Sequence, residues 1–98
     1  MNTAVKQLAS LDRLIHEPAR LMIVAILSAV ESADFLYLKT ATELTKGNLS
    51  SHLSRLEEAG YVQINKQFEG KTPRTTCALT DKGLDAFKTY REQMKTVL

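Results

Sequence analysis

The chain lacks the features that hold a secreted or membrane protein together. It has a single cysteine, Cys77, so no disulfide can form within the chain, and a secreted disulfide-held scaffold is excluded. The longest apolar run, from Leu21 to Leu27, is far shorter than the roughly 20 residues of a membrane-spanning helix. Residues 1–14 lack the apolar stretch and cleavage site of a signal peptide. We therefore expect a cytoplasmic protein that has no membrane partner.

The sequence motifs of common enzymes and metal proteins are also missing. There is no glycine-rich phosphate loop and no nucleophile motif, and the adjacent Glu57 and Glu58 point in different directions around a helix. His16, His52 and Cys77 are too widely spaced to form a ligand motif. We therefore expect no catalysis, no metal and no cofactor. We interpret Cys77 as a small buried hydrophobe, with a redox switch as the alternative.

Composition and charge are typical of one compact domain. The 98 residues fit a single domain over residues 1–98, and 44% of them are hydrophobic. The 13 basic and 11 acidic residues give a net charge of +2, which by itself is weak support for a nucleic-acid partner. The positions of the charges therefore matter more than their sum.

The first third of the chain is helical by its hydrophobic spacing. Helices are predicted over residues 4–15 and 18–30, where Pro18 suits a first helical turn, and residues 31–35 predict a break. His16, just before the proline, is expected to form a local cap. The second helix is apolar nearly all round, so one small core is not expected to cover it.

The remaining sequence predicts a helix-turn-helix, a hairpin and a long helix. Two short helices joined by a tight turn occupy about residues 36–59, and two β-forming runs with a glycine between them occupy about 61–79. The last helix covers residues 80–98. Thr45 and Thr80 stand where helix-capping side chains are expected. The fold class is therefore α+β and mostly helical.

The helix within TKGNLSSHLSRLEEAGYV, residues 45–62, has two contrasting faces. Leu49, Leu53 and Leu56 cluster on one side and are expected to seat the helix on the core. The opposite side is small and polar, and its asparagine, serines and arginine are residue types that contact bases and phosphates. His52 is expected to pack at the helix edge or touch a phosphate. The outer face is a candidate for DNA contact; the alternative is a solvated helix with a chance run of serines.

The predicted hairpin is basic near its tip. It carries Lys66, Lys71 and Arg74 there, with Glu69 as the one acid. A basic hairpin beside a DNA-contacting helix reaches neighbouring phosphates or the minor groove. The alternative is that the lysines protect a sheet edge against pairing with other chains.

Together these segments resemble winged-helix transcriptional regulators of the MarR and ArsR type. The likeness spans about residues 12–98 and is carried by LTKGNLSSHLSRLEEAGYV, KTPRTTCALT, DKGLDAF and the opening IHEPARLMIVAIL with ADFLYL. It implies a winged helix-turn-helix with a β-hairpin wing and extra N- and C-terminal dimerisation helices. It also implies a homodimer on a pseudo-palindromic operator in double-stranded DNA, with the recognition helix in the major groove, the wing alongside and repression as the outcome.

The resemblance also assigns the DNA-binding positions, which lie on the recognition helix and the wing. They are Lys46, Asn48, Ser50, Ser51, Ser54, Arg55, Lys71, Thr72 and Arg74. Larger MarR-type relatives frame an effector pocket with longer dimerisation arms. A small-molecule effector is therefore left open for this short chain but is not indicated.

Two apolar stripes predict a homodimer interface made from the first and last helices. The stripe residues are Val5, Leu8, Leu11, Leu84, Phe87, Met94 and Leu98. The alternative is that the two helices pair within one chain.

A different class of function is also consistent with the pattern. Winged-helix folds serve in some assemblies as protein-interaction modules that do not touch DNA. A continuous basic face over the recognition helix and wing favours DNA, whereas an exposed apolar patch there favours a protein partner.

Overall fold

The computed structural model describes residues 3–98, which form five helices and three strands. In chain order the elements are α1 (Thr3–Ala9), α2 (Pro18–Ser28), β1 (Ala33–Asp34), α3 (Phe35–Thr42), α4 (Lys46–Glu58), β2 (Val62–Glu69), β3 (Thr72–Leu79) and α5 (Asp81–Val97). This order confirms the mostly helical α+β prediction. The helix-turn-helix is α3 and α4, the hairpin is β2 and β3, and the long final helix is α5.

Helices α2 to α5 each begin at a side chain that accepts a hydrogen bond from the first turn. The capping residues are Glu17, Asp34, Thr45 and Thr80. Thr45 and Thr80 confirm the predicted caps, since their hydroxyls accept from the N–H groups of Asn48 and Gly83 at 3.1 and 3.0 Å. These local signals explain why the sequence located the starts of α4 and α5 correctly.

The predicted first helix over residues 4–15 is wrong in its second half, because α1 ends at Ala9. Asp12 is the physical reason. Its Oδ1 accepts hydrogen bonds from the N–H groups of Leu14 at 2.9 Å and Ile15 at 3.3 Å. Such a side-chain turn competes with the helical ladder for the same backbone groups.

The turn at Asp12 also ties the N-terminal segment to the rest of the chain. The hydroxyl of Tyr61 donates a hydrogen bond to Asp12 Oδ2. This bond, together with burial and the carboxylate charge, raises the pKa of Tyr61 to about 12. Leu11 and Ile15 therefore enter the chain's own core, where both are buried.

The sheet is antiparallel with the strand order β1-β3-β2. The predicted break at residues 31–35 contains β1, which pairs with Thr76 and Cys77 of β3. Two residues are too few to show the alternation of a strand, so the sequence pattern missed it. The tip of the hairpin turns at Gly70, whose φ of 63° is left-handed and favours glycine.

Helix α2 forms the centre of the core. Ile23, Val24 and Leu27 are fully buried, while Leu21 and Ile26 are half-buried against the same cluster. The helix packs against α3, α4, α5 and β3 of the same chain. These neighbours cover most of α2, but Met22 and Ala25 stay exposed, so the expectation that one small core would not cover the whole helix is confirmed on that side.

The start of α5 lies against the end of the helix-turn-helix. Gly83 is buried, and a Cβ atom at this position would lie 2.2 Å from the carbonyl oxygen of Tyr61. The same oxygen accepts a hydrogen bond from the Thr80 N–H at 2.9 Å. This close approach of two backbones fixes where α5 leaves the sheet, and it has room only for glycine.

We predict that Gly83→Ala lowers the free energy of unfolding by about 1–3 kcal/mol, because the added methyl group forces the two backbones apart. Urea denaturation followed by circular dichroism measures the change. Gly47→Ala is the matched control: nothing lies within 4 Å of a Cβ there, so alanine should stabilise α4 by roughly 0.5–1 kcal/mol. Equal stabilities for the two variants would contradict the close approach at Gly83.

Candidate nucleic-acid interface

Helix α4 is seated by its leucines, as the sequence predicts. Leu49, Leu53 and Leu56 are buried, and the helix packs against α2 and β2. The turn before it spans residues 43–45, and Glu43 adopts φ 58°, a left-handed conformation that is uncommon outside glycine. The packing of the three leucines and this sharp turn together determine which side of α4 faces outward.

The outward side of α4 is wholly exposed. Every predicted DNA-binding residue of this helix is exposed, namely Lys46, Asn48, Ser50, Ser51, Ser54 and Arg55. Gly47 lies among them with open space where a side chain would stand. The surface is therefore low in profile, carries hydrogen-bonding groups and bears positive charge at Lys46 and Arg55.

A groove of about 720 Å³ separates α4 from the hairpin, and side chains of α3, α4 and both hairpin strands line it. Of the predicted DNA-binding residues it includes Lys46, Ser50, Ser54, Thr72 and Arg74. Asn48, Ser51, Arg55 and Lys71 do not line this groove. The recognition helix and the hairpin thus share one concave surface. Residues 59–61 connect the two elements in the chain.

Two further lysines line the groove. Lys66 lies on β2, where the sequence had already marked it as part of the basic tip, but Lys39 of α3 was missed. Its only sequence signal was its place in the first helix of the helix-turn-helix. The ionisable side chains of the groove are four basic (Lys39, Lys46, Lys66, Arg74) and two acidic (Asp34, Glu69). The surface therefore has a net positive charge.

Arg74 is already engaged by two carboxylates. Its Nε donates to Asp34 Oδ2 at 3.1 Å, and its Nη1 donates to Glu69. The hydrogen bond and charge of Glu69, followed by those of Asp34, raise the pKa of Arg74 above its ordinary value. Asp34 uses its other oxygen to accept from the Leu36 N–H at 2.7 Å, which caps α3. The arginine expected to contact DNA thus links the hairpin to the first helix of the helix-turn-helix.

The two histidines have structural partners away from the outer face of α4. His52 Nδ1 lies 3.1 Å from Arg20 Nη1 and 3.5 Å from Glu17 Oε2, so the histidine packs at the helix edge. The expectation that His16 forms a local cap is wrong. Its Nδ1 lies 2.8 Å from the hydroxyl of Tyr90 on α5, and Glu17 caps α2 instead.

Glu17 holds these contacts together as a carboxylate. Its oxygens accept from the N–H groups of Ala19 at 2.8 Å and Arg20 at 3.1 Å. Burial acts to raise the pKa of Glu17, but these two bonds and the nearby His52 and Arg20 outweigh it and lower the pKa below its ordinary value. The edge of α4 next to α2 is therefore fixed by a polar cluster as well as by leucines.

The predicted dimerisation residues fall into two groups. Val5, Leu8 and Leu98 are exposed, with 48%, 47% and 93% of their surface accessible. Leu11 and Phe87 are buried in the core of the single chain, at 7% and 8%. Leu84 and Met94 are half-buried. Leu11 and Phe87 are therefore core residues and not the interface residues that the sequence predicted. The turn at Asp12 and the packing of α5 leave little of their surface exposed.

A redox switch is the alternative role that the sequence leaves open for Cys77. Cys77 is fully buried, and burial, followed by the charges of Asp34 and Glu57, raises the pKa of its thiol to about 11. This confirms Cys77 as a small core residue.

Within residues 3–98, no cluster of histidine, cysteine and carboxylate side chains is placed to hold a metal ion. Of the helices described, none combines the length and the hydropathy that a membrane span requires.

Comparison with known proteins identifies relatives of the whole arrangement. Residues 19–98 match the family model of the winged helix DNA-binding domain. An uncharacterised protein of Methanocaldococcus jannaschii, MJ0432, is 38% identical over 78 residues, which cover 80% of this chain and 85% of the relative.

Solved structures agree with the sequence relatives. A transcriptional regulator homologue from Pyrococcus horikoshii OT3 superposes with a TM-score of 0.88 at 30% identity, covering 98% of this chain and 94% of that one. A MarR-family transcriptional regulator from Silicibacter pomeroyi shares the fold, with a TM-score of 0.70 at 19% identity over 96% of this chain and 62% of that one.

The exposed face of α4, the hairpin beside it and these relatives lead to one assignment. The chain has the predicted winged-helix architecture, and it belongs to the winged helix DNA-binding domain family.

Proposed function

We propose that this protein is a transcription regulator that binds a pseudo-palindromic operator in double-stranded DNA as a homodimer and represses the genes it controls. The observation that carries the proposal is the shared concave surface, in which the exposed polar face of α4 meets the basic side chains of the hairpin. A DNA-binding family and a regulator homologue of the same fold support it.

In this proposal the outer face of α4, from Lys46 to Arg55, lies along the major groove. Its outer face has serines and a glycine, so the helix backbone can come close to base edges. Asn48 suits adenine and Arg55 suits guanine, because each can form two hydrogen bonds with one base. Lys46 and the serines would contact phosphates and bases at the sides of the major groove.

The hairpin would then lie along the neighbouring backbone. Lys71 and Thr72 are exposed at its tip, and Lys66 lines the groove. The charge of Arg74 is shared between Asp34 and Glu69, so it attracts a phosphate less strongly than a free arginine, although neither carboxylate uses its Nη2 N–H groups. We therefore propose that Lys71 and Thr72 are the wing's polar DNA contacts and that Arg74 holds the wing in place.

The homodimer is supported by the apolar surface left on α1 and at the end of α5. α1 packs along α5, and Val5, Leu8 and Leu98 still face solvent. The molecule is elongated, measuring 58 × 25 × 21 Å. A two-fold interface of these helices would cover the apolar residues and set the spacing of two recognition helices.

The second candidate function is a protein-interaction module, and one observation favours it. Leu36 of α3 and Phe68 of β2 are 70% and 72% exposed beside the groove, where an apolar patch could take a protein partner.

Selection of bound DNA from a random pool separates the two candidates. Recovery of a symmetric sequence supports the regulator, whereas no enrichment by a folded dimer rejects it.

We predict that Asn48→Ala and Arg55→Ala each weaken binding to the selected operator by about 1–3 kcal/mol, because each removes a two-bond contact with a base. Fluorescence anisotropy on operator and random DNA measures the difference. Binding to random DNA by Asn48→Ala should change little, since no charge is lost. An unaltered preference for the operator in both variants would count against base reading by α4.

Lys71→Ala should weaken binding to operator and random DNA alike and reduce the slope of log K against log salt by about 1 per protomer, because one phosphate contact is lost. Titrations at four salt concentrations give the slope. Lys88→Ala removes the same charge from the exposed surface of α5, away from the groove, and serves as the matched control. Identical slopes for wild type and Lys71→Ala would exclude the wing contact.

Leu8→Glu should shift the dimer towards monomer, because it places a charge in the proposed apolar interface. Sedimentation velocity over a range of protein concentrations measures the shift. Leu36→Glu, which changes an equally large exposed side chain on α3, is the control and should leave the oligomeric state unchanged. A Leu8→Glu protein that sediments as wild type would place the interface elsewhere.

A further inference from the structure

The wing carries an exposed aromatic side chain that none of the contacts described so far explains. Phe68 lies near the tip end of β2, and 72% of its surface is accessible. Its cross-strand partner in the hairpin is Pro73, which is also exposed. The ring therefore contributes little to the core, although phenylalanine is costly to leave in water.

The strand register shows which way Phe68 faces. Side chains two residues apart share one face of a strand, so Phe68 shares its face with Lys66 and Ile64. Ile64 packs against the core, and Ile64, Lys66 and Pro73 all line the groove beside α4. Phe68 does not itself line the groove, but by this register it lies beyond Lys66 on the face of β2 that packs towards α4.

The charges around the ring favour a nucleic acid as that partner. Lys66 lies two residues before Phe68 on the same face, and Lys71 is exposed in the turn. The wing's arginine, by contrast, is held by Asp34 and Glu69. The tip can therefore offer DNA two lysines that are in no ion pair within residues 3–98, the hydroxyl of Thr72 and an apolar ring.

We infer that Phe68, supported by Pro73, is the wing's contact with the minor groove of the operator. The inference rests on the proposed DNA-binding function and names a further residue for it. Apolar side chains that enter the minor groove press between base pairs and partly unstack them, and this is easiest at flexible pyrimidine–purine steps. The wing then selects for a deformable step flanking the sequence that α4 reads, while Lys66 and Lys71 hold the adjoining phosphates.

The experiment uses the full chain, the selected operator and three variants: Phe68→Ala, Phe68→Leu and Gln67→Ala. Gln67 is the matched control, because it is the exposed neighbour on the opposite face of the same strand. The operator carries 2-aminopurine at successive flanking positions, and its fluorescence rises where a base is unstacked. Anisotropy at four salt concentrations gives the affinity and the salt slope of each protein.

The wild-type protein and Gln67→Ala are expected to raise 2-aminopurine fluorescence at one flanking step on each side. Phe68→Ala should abolish that signal and bind about tenfold more weakly, with the salt slope unchanged because no charge is lost. Phe68→Leu should keep part of the fluorescence signal and part of the affinity, since leucine is also an apolar wedge. Replacing the flanking step by a stiff A-tract should weaken wild-type binding and leave Phe68→Ala unaffected.

Three results would overturn the inference while leaving the proposed function intact. The first is wild-type affinity and fluorescence in Phe68→Ala. The second is a loss in Phe68→Ala that Gln67→Ala shares, which would point to hairpin stability rather than to the ring. The third is a change of oligomeric state in Phe68→Ala without DNA, which would place a second copy of the chain on the exposed edge strand β2. A wild-type protein that binds no DNA would overturn the proposed function together with it.

Discussion

The burial of Leu49, Leu53 and Leu56 against α2 is the contact on which the rest of the structure depends. It joins α4 to the core that Ile23 and Val24 also form. Removing three leucines from water contributes several kilocalories per mole to folding, by the usual value of about 1.5–3 kcal/mol for each buried side chain. The same burial decides which face of α4 is left outside, and therefore decides the position of the candidate interface.

Asp34 has a comparable role for the wing. One carboxylate oxygen caps α3 and the other accepts from Arg74 of β3, while its backbone pairs with Thr76 in the sheet. A single side chain thus links the helix-turn-helix to the hairpin at the point where β1 meets them. This link adds to the packing of β2 against α4 and of β3 against α3, which also relate the direction of the wing to that of the helix-turn-helix.

The resulting surface combines charge, small polar groups and apolar side chains. Positive charge lies along the groove, and α4 contributes hydrogen-bonding groups with little bulk. Leu36 and Phe68 add exposed apolar area at its border. Long-range attraction by lysines with close apolar fit is the combination by which proteins bind and deform DNA. The net charge of +2 for the whole chain is compatible with this surface, since the four basic and two acidic side chains of the groove by themselves sum to +2.

The sequence by itself determined the elements whose signals are local. Caps at Thr45 and Thr80, the leucine spacing of α4 and the glycine at the hairpin tip depend on near neighbours, so they could be predicted, and with them most of the polar face of α4. Only the tertiary structure decided the features that join distant segments: the strand β1 opposite Cys77, the engagement of Arg74 by Asp34, and the placement of Lys39 beside the wing. The end of α1 at Ala9 belongs with these. The spacing of Leu8, Leu11 and Ile15 indicated a continuous helix, but Asp12 bonds both its own turn and Tyr61, and a contact across the chain overrides a periodic pattern.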